Sequence, residues 1–402
     1  MIHYVNTKRK EDCCGCRACE QICNHHAILM KEDDEGFLYP DFDKDSCVNC
    51  GLCEIVCPLM QADKVLHPEG EPMAAQNLNK QDLATSSSGG VFIAIAKHVI
   101  LNGGVVYGAA FEDGPTLCHQ RVESVEGLEK LKGSKYLQSD IRNTFQMVKE
   151  DLQTEKEVYF VGTPCQVAGL RLFLRKDYNG LFTSDFVCHG TPSNKLFKNT
   201  ITQIEKKLDA TFKNYSFRDK KVRGWSCSSS SSWQKGEDKV CQIYSRDMEA
   251  YYNAFIQGDM MRMNCYECPF ARHERCGDIT LADHWGVRVF DPNFPNIGKG
   301  VSLILINTKK GETMFNRLKS MFFSEKISMA HTVRNGNLHR PSIKTSNRES
   351  SYRLAFDNYH RFVDKYYQGN YLLNTIRVYS EYLLRKSDVL LSLASYIKRM
   401  VK

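Results

Sequence analysis

"EVYFVGTPCQVAGLRLFLRKDYNGLFTSDFVCHGTPS", residues 157–193, is the stretch whose reading decides the fold. "VYFVG" is apolar, β-branched and aromatic, which predicts a buried strand. Thr163 and Gln166 have capping-box spacing and Pro164 takes the first helical position, so a helix is expected from there to about Lys176. "FTSDFV" reads as the next strand and ends at Cys188. A strand–helix–strand unit lays its two strands parallel. Cys165 and Cys188 then follow the C-terminal ends of the two strands, on the edge where α/β sheets place ligands. Cys165 also opens a helix, where the dipole favours a thiolate.

A second thiol pair lies downstream in "NCYECPF", residues 264–270. Cys265 and Cys268 in C-x-x-C spacing supply half of a four-ligand site. Two completions are open. Cys165 and Cys188 would make it a 4Fe–4S site. His273 and Cys276 would instead give C-x2-C-x4-H-x2-C, a zinc-knuckle pattern with a short last gap.

The amino-terminal segment carries the most specific pattern in the chain. Cys13, Cys16, Cys19 and Cys23 follow C-x2-C-x2-C-x3-C, and Cys47, Cys50, Cys53 and Cys57 repeat it before Pro58. That is the duplicated spacing of bacterial two-cluster ferredoxins, in which the fourth cysteine of each run serves the other cube. Cys13, Cys16, Cys19 and Cys57 are therefore assigned to one 4Fe–4S cluster, and Cys47, Cys50, Cys53 and Cys23 to the second. Asn24 replaces the proline of the first run, and Cys14 has no role in the pattern.

Composition narrows the class. The chain has 402 residues, 42% of them hydrophobic and 25% charged, as in a soluble globular protein. No apolar run is long enough to span a bilayer, and "MIHYVNTKRKEDCC" lacks a secretory apolar core, so a cytoplasmic protein is expected. In a reducing compartment, 17 cysteines point to metal or redox chemistry and away from disulfides. Residues 1–60 carry a net −5 and the remainder +12. The basic residues form no long run, so no nucleic-acid partner is expected.

The expected architecture is α+β: a bacterial-type ferredoxin fold over 1–62, a linker over 63–80, an α/β flavin- and cluster-binding domain over 81–345, and a helical tail over 346–402. "LATSSSGGVF" opens an apolar helix with a Ser/Gly loop, Ser86, Ser87, Ser88, Gly89 and Gly90, which suits a phosphate. "VVYGAAF" at 105–111 and "VSLILI" at 301–306 read as buried strands, and residues 217–233 as a strand or hairpin over the site. Basic and apolar residues share the tail, which suits packing on the body or a partner, or contact with a membrane surface.

"SSSGGVF" (86–92), "GSKYLQS" (133–139), "GTPCQVAGL" (162–170), "DFVCHGTPS" (185–193), "CYECPF" (265–270) and "GDITLADHWG" (277–286) occur in an order that resembles one family. They look like the beta subunits of coenzyme F(420)-reducing hydrogenases and dehydrogenases, over about residues 80–345. The resemblance implies an FAD and a third 4Fe–4S cluster held by Cys165, Cys188, Cys265 and Cys268. It is closest in kind to stand-alone members from bacterial polysaccharide gene clusters, which also carry a fused ferredoxin. His284 stands where the family often has an aromatic.

On this reading the FAD pyrophosphate sits on Ser86–Gly90, helped by the turn of Gly162, Thr163 and Gln166. Lys135, Tyr136, Gln138, Asp278, Asp283 and His284 are pocket candidates, with Lys135, Tyr136 and His284 placed at the chemistry. A flavin converts between the one-electron chemistry of clusters and the two-electron chemistry of organic substrates. The expected function is an FAD- and 4Fe–4S-dependent oxidoreductase that exchanges electrons between a ferredoxin or other redox protein and a small organic substrate or deazaflavin. The alternatives are an electron-transfer subunit without its own substrate and a zinc-binding interaction protein.

Overall fold

The computed structural model describes residues 3–385, so the end of the expected helical tail lies outside the described residues. Thirteen strands are present among them: β1 (Ile28–Glu32), β2 (Leu38–Phe42), β3 (Glu71–Asn77), β4 (Val105–Phe111), β5 (Leu117–Val122), β6 (Val158–Val161), β7 (Leu181–Phe186), β8 (Thr211–Ser216), β9 (Ser230–Lys235), β10 (Asp238–Gln242), β11 (Ile279–Asp283), β12 (Ser302–Ile306) and β13 (Phe322–Lys326). β1 and β2 pair as the antiparallel hairpin of a ferredoxin-like amino-terminal module. Eight strands make one mixed sheet in the order β13-β3-β12-β11-β7-β6-β4-β5, and β10-β9-β8 form a small second sheet.

The centre of the large sheet is the expected parallel unit. β4, β6, β7 and β11 run parallel, with Val158 opposite Leu181 and Ile279 opposite Ser184. These strands are largely buried on both faces because helices cover both. Val106, Tyr159 and Phe182 pack towards the helix Val91–Leu101. Val105, Val158 and Phe160 pack the other way, towards the helices Thr144–Gln153 and Pro164–Leu174. The Pro164 helix starts with the expected capping box, in which the Thr163 N–H donates to Gln166 Oε1 at 3.0 Å.

The linker expected over 63–80 is corrected by the structure. Glu71–Asn77 is β3, between β12 and β13, and Met73 to Asn77 are all buried. "MAAQN" shows no alternation because both of its faces are covered. Its polar side chains are satisfied by loops: Gln76 donates to the Gly300 carbonyl at 2.8 Å and Asn77 to the Gly90 carbonyl at 3.2 Å. Within the 217–233 stretch, the short helix Lys220–Arg223 precedes β9.

The ferredoxin-like module is docked on the body, not tethered to it. The Glu35 carboxylate takes two bonds from the buried Arg348 guanidinium, one of them 2.6 Å between Nη2 and Oε2. Ser193 Oγ donates to the Glu35 carbonyl at 2.5 Å and Lys195 Nζ to the Asp34 carbonyl at 2.8 Å. Arg348 opens the first tail helix, Arg348–Asp357, which packs with Tyr359–Tyr366 against the aromatic core around β8 and β9. The last described helix, Tyr371–Arg385, buries Val378 and leaves Leu372, Leu373, Ile376 and Leu383 exposed.

Candidate redox site

The cysteine duplication in the sequence is also a duplication of the backbone. Gly15 and Arg17 have φ of 69° and 60°, and their counterparts Asn49 and Gly51 have φ of 55° and 72°. These left-handed residues bend the chain back on itself and turn N–H groups towards sulfur. The Gly15 N–H reaches Cys13 Sγ and the Asn49 N–H reaches Cys47 Sγ, each at 3.4 Å. Such N–H groups stabilise thiolates and the clusters they carry. Burial raises the Cys19 thiol well above its ordinary value, and Cys13, Cys57 and Cys53 push it further, so thiols of both runs lie close together.

The two ends of the module differ in environment. Cys50 is exposed beside the exposed Val48 and Ile55. Cys16 is buried, and a Cβ at Gly169 would stand 3.1 Å from its sulfur. The Cys13/16/19/57 end therefore rests on the helix that begins with Cys165.

Cys165, Cys188, Cys265 and Cys268 meet at one enclosed cavity on the C-terminal edge of the parallel strands. The C-x-x-C loop arrives as the 3-10 turn Met263–Glu267, with the Cys265 N–H bonded to the Arg262 carbonyl. Burial raises the Cys188 thiol well above its ordinary value, and Cys265, Cys165 and Cys268 push it further. Burial and Cys165 push Cys265 up to about 11, and burial, Cys165 and Cys265 push Cys268 up to about 12. Buried thiols that oppose one another's ionisation suit a cationic iron core, which removes their protons and balances their charge.

Cys14, without a role in the spacing, lines this same cavity. Its thiol interacts with Cys16 on one side and Cys165 on the other. Gln138 lies in the same wall and donates to the Cys14 carbonyl at 2.9 Å. Gly162, Thr163 and Gln166 also belong here. Thr163 Oγ1 lies 3.2 Å from Cys165 Sγ, and Gln166 Nε2 donates to the Ser139 carbonyl. The turn expected to help cradle a pyrophosphate is built into the cysteine cavity.

The zinc completion is not assembled. His273 Nε2 is 3.0 Å from His339 Nδ1, and Cys276 Sγ is engaged by the Pro164 carbonyl at 3.1 Å and Asp185 Oδ2 at 3.3 Å. Among the described residues no trio of His, Cys, Asp or Glu is arranged around a single metal ion.

A second cluster of polar groups lies along the same sheet edge, at β3, β11 and β12. The Ser86 hydroxyl caps the preceding helix through the Asp82 carbonyl, Ser87 Oγ accepts from the Ser134 N–H, and Ser88 Oγ donates to the Val301 carbonyl. Gly89 is required by close packing, since a Cβ there would lie 2.2 Å from the Ala75 carbonyl oxygen. Gly90, at φ 79°, turns the chain into the helix Val91–Leu101, whose N-terminus has no side-chain cap. Lys220 Nζ reaches into this loop and donates to the Leu83 and Ser88 carbonyls. Burial draws its pKa down to about 7. An uncapped helix start beside a lysine answered only by carbonyls fits an anion.

Asp283 ends β11, accepts two bonds from the buried Arg218 and a third from Trp225 Nε1 at 2.8 Å. Trp225 stacks on Trp285 at 5.2 Å, and Arg218 covers the Trp285 ring at 4.9 Å. Tyr136 stacks on Phe255 at 4.9 Å near this group, its pKa raised to about 12 by burial. Gln138, two residues on, reaches the cysteine cavity, so Tyr136 stands between the two clusters.

Lys135 Nζ donates to the carbonyls of Lys130, Leu131 and Lys132 at 2.9–3.1 Å and closes a 3-10 turn, and burial draws its pKa down to about 7. Asp278 is a buried tie: it accepts from the Thr183 N–H and hydroxyl and from Thr308, and Arg171 lies 3.1 Å away. His284 is fully buried against His331, and neither ring nitrogen has a partner among the described residues. Burial, then His331, lowers its pKa to about 4. Its ring lies 5.7 Å from that of His331. Sequence reasoning placed the 217–233 stretch over the site but missed the roles of Arg218 and Lys220 within it, and missed Arg262, because their partners are distant in the chain.

Two family models match parts of the chain. Residues 155–328 match the family described as the C terminus of the coenzyme F420 hydrogenase/dehydrogenase beta subunit. Residues 12–60 match a 4Fe–4S dicluster domain. The pyruvate synthase subunit PorD of Thermotoga maritima is 37% identical over 62 residues, which cover 15% of this chain and 57% of that protein. The chain thus spans little more than half the length of that relative. A chain from the F420-reducing [NiFe] hydrogenase complex of Methanosarcina barkeri superposes with a TM-score of 0.45 at 15% identity, covering 72% of this chain and 93% of that one. Among the described residues no helix is long and apolar enough to cross a membrane.

Proposed function

We propose that this chain, which joins a 4Fe–4S dicluster domain to a module of the coenzyme F420 hydrogenase/dehydrogenase beta-subunit family, is an iron–sulfur flavoprotein oxidoreductase. It exchanges electrons between a redox protein at the exposed Cys50 end and a small organic substrate or deazaflavin at the sheet edge. The carrying observation is the cavity shared by Cys165, Cys188, Cys265 and Cys268, with Cys14 in its wall and Cys16 immediately behind. This continuity favours an electron path over three separate metal sites.

The residues present fit a third cube in this cavity and an FAD beside it. Cys165, Cys188, Cys265 and Cys268 would ligate the cube. Gly90 and the uncapped start of its helix, with Lys220, would receive the pyrophosphate. Tyr136, Asp283 and Arg218 would face the ring system, with Arg218 bonded to Asp283 and Tyr136, its pKa raised by burial, as a proton donor. Bound FAD supplies the conversion between one-electron and two-electron transfer. The aromatic packing of Tyr136, Phe217 and Phe255 excludes water from that face.

Anaerobic purification with iron, sulfide and flavin analysis tests this. About twelve irons, on cube stoichiometry, and one FAD per chain are expected. Eight irons without flavin would sink the proposal. A second reading keeps the cofactors but makes the chain an electron-transfer subunit, favoured by its match to a protein named as a pyruvate synthase subunit. Turnover by the purified chain alone, fed by reduced ferredoxin, separates the two.

A further inference from the structure

We propose that Arg262 is a counter-cation shared by two clusters, the Cys13/16/19/57 cube and the Cys165/188/265/268 cube, and that its charge raises the reduction potential of both. The inference rests on the third cluster proposed above.

Four arginines are buried among the described residues: Arg218, Arg262, Arg275 and Arg348. Three face a carboxylate. Arg218 has Asp283, Arg275 has Asp185 at 3.5 Å, and Arg348 has Glu35. Arg262 is 1% exposed and has none among the described residues. Its Nε donates to the Cys13 carbonyl at 2.7 Å, its Nη2 to the Leu38 carbonyl at 2.8 Å, and its Nη1 lies 3.4 Å from Gln138 Oε1. The guanidinium covers the Tyr39 ring at 4.1 Å and the Phe37 ring at 5.5 Å.

Carbonyls and ring faces satisfy the N–H geometry but leave the charge unanswered. An uncompensated buried ion costs several kcal/mol, whereas a cation over an aromatic face returns only about 1–2 kcal/mol. Some anion must make up the difference. Arg262 touches both cysteine sets: its Nε donates to the Cys13 carbonyl, and its own carbonyl accepts from the Cys265 N–H at 3.0 Å. Burial works against its charge, and Tyr39, Cys13, Cys14 and Cys265 work for it. Cys13 belongs to one cysteine set and Cys265 to the other. A 4Fe–4S cube with four thiolates is a net anion, and each electron added makes it more so. Arg262 stands between two such groups, and net charge nearby is one of the determinants of cluster potential.

Gly15 supports the same placement. A Cβ there would stand 2.9 Å from Arg262 Nη1 and 2.9 Å from Gln138 Nε2, at φ 69°. The loop that carries Cys13 and Cys16 is thus shaped around the guanidinium. Arg262 is a positioning and electrostatic residue; it touches no substrate atom.

The test uses the full chain, purified anaerobically, with redox titration followed by electron paramagnetic resonance. Arg262→Met keeps the bulk and removes the charge. It should retain about twelve irons, as three cubes require. Two of the three signals should shift so that, at a fixed potential, their reduced-to-oxidised ratio falls at least tenfold, which is about 59 mV for a one-electron couple. The signal of the exposed Cys47/50/53/23 cube should not move. Arg262→Lys should restore both ratios most of the way. A shift confined to one signal, or spread equally over three, would overturn the proposal. If Arg262→Met fails to fold, the wild type still decides. The Cys165-set signal must be broadened by reduction of the Cys13-set cube, and independent signals would overturn the assignment. Eight irons in the wild type would instead be a failure of the functional reading.

Discussion

A thiol in this protein acquires its role from what surrounds it, and spacing alone does not reveal that. Cys276 lies eight residues past Cys268 in a plausible metal pattern, yet its sulfur is spent on the Pro164 carbonyl and Asp185. Cys165 and Cys188, distant in sequence, face the cavity. Cys165→Ala and Cys188→Ala should each lose about four irons per chain, one cube's worth. Cys276→Ala should keep about twelve irons by the same stoichiometry and lose only about 1 kcal/mol of stability from its hydrogen bonds. Anaerobic iron analysis with thermal denaturation reads both quantities. Iron loss in Cys276→Ala with retention in the other two would show that the C-x-x-C loop serves a local site. The choice was open in the sequence because His273 is correctly spaced, and only the tertiary contact that turns its ring to His339 removes it.

Among the elements, legibility followed burial. β6, the Pro164 helix and β7 were readable because a capping box, a proline and two apolar runs agree. β3 was not. Its alanines and amides look like linker until Gln76 and Asn77 are seen to bond the loops at Gly300 and Gly90. The β1–β2 hairpin was readable as ferredoxin, but its clamp was not, because Glu35 and Arg348 are far apart in the chain. The Arg348 side chain is 2% exposed and that of Glu35 19%. Glu35→Gln leaves a buried guanidinium short of its anion and should cost roughly 3 kcal/mol, the range for breaking a buried pair. Arg348→Met combined with Glu35→Gln should recover part of that loss. Urea unfolding of the two single variants and the double closes the cycle. Strictly additive losses would show that the pair is not coupled.

Across the whole molecule, the two-part architecture and the acidic amino-terminal segment could be read directly from residue counts, since residues 1–60 carry −5 against +12 elsewhere. The arrival of Lys220 at the edge already expected for Cys165 could not. It is the product of a sheet whose order interleaves strands from residue 71 to residue 326.

The presence of Cys14 in the wall of the Cys165 cavity also imposes a sequence of events in time. Gln138 and Arg262 lock the Cys14 loop over this side of the cavity, so on the proposed assignment a cube there would have to enter before that loop seats. If the proposed inner cube is present, its loading would precede docking of the amino-terminal module, and docking would cover it. Iron and sulfide given to folded apoprotein should fill the outer module quickly and the inner cavity slowly. Glu35→Gln, which loosens the dock, should speed the slow phase alone. Equal loading rates at the inner site in both proteins would mean that the loop is no barrier.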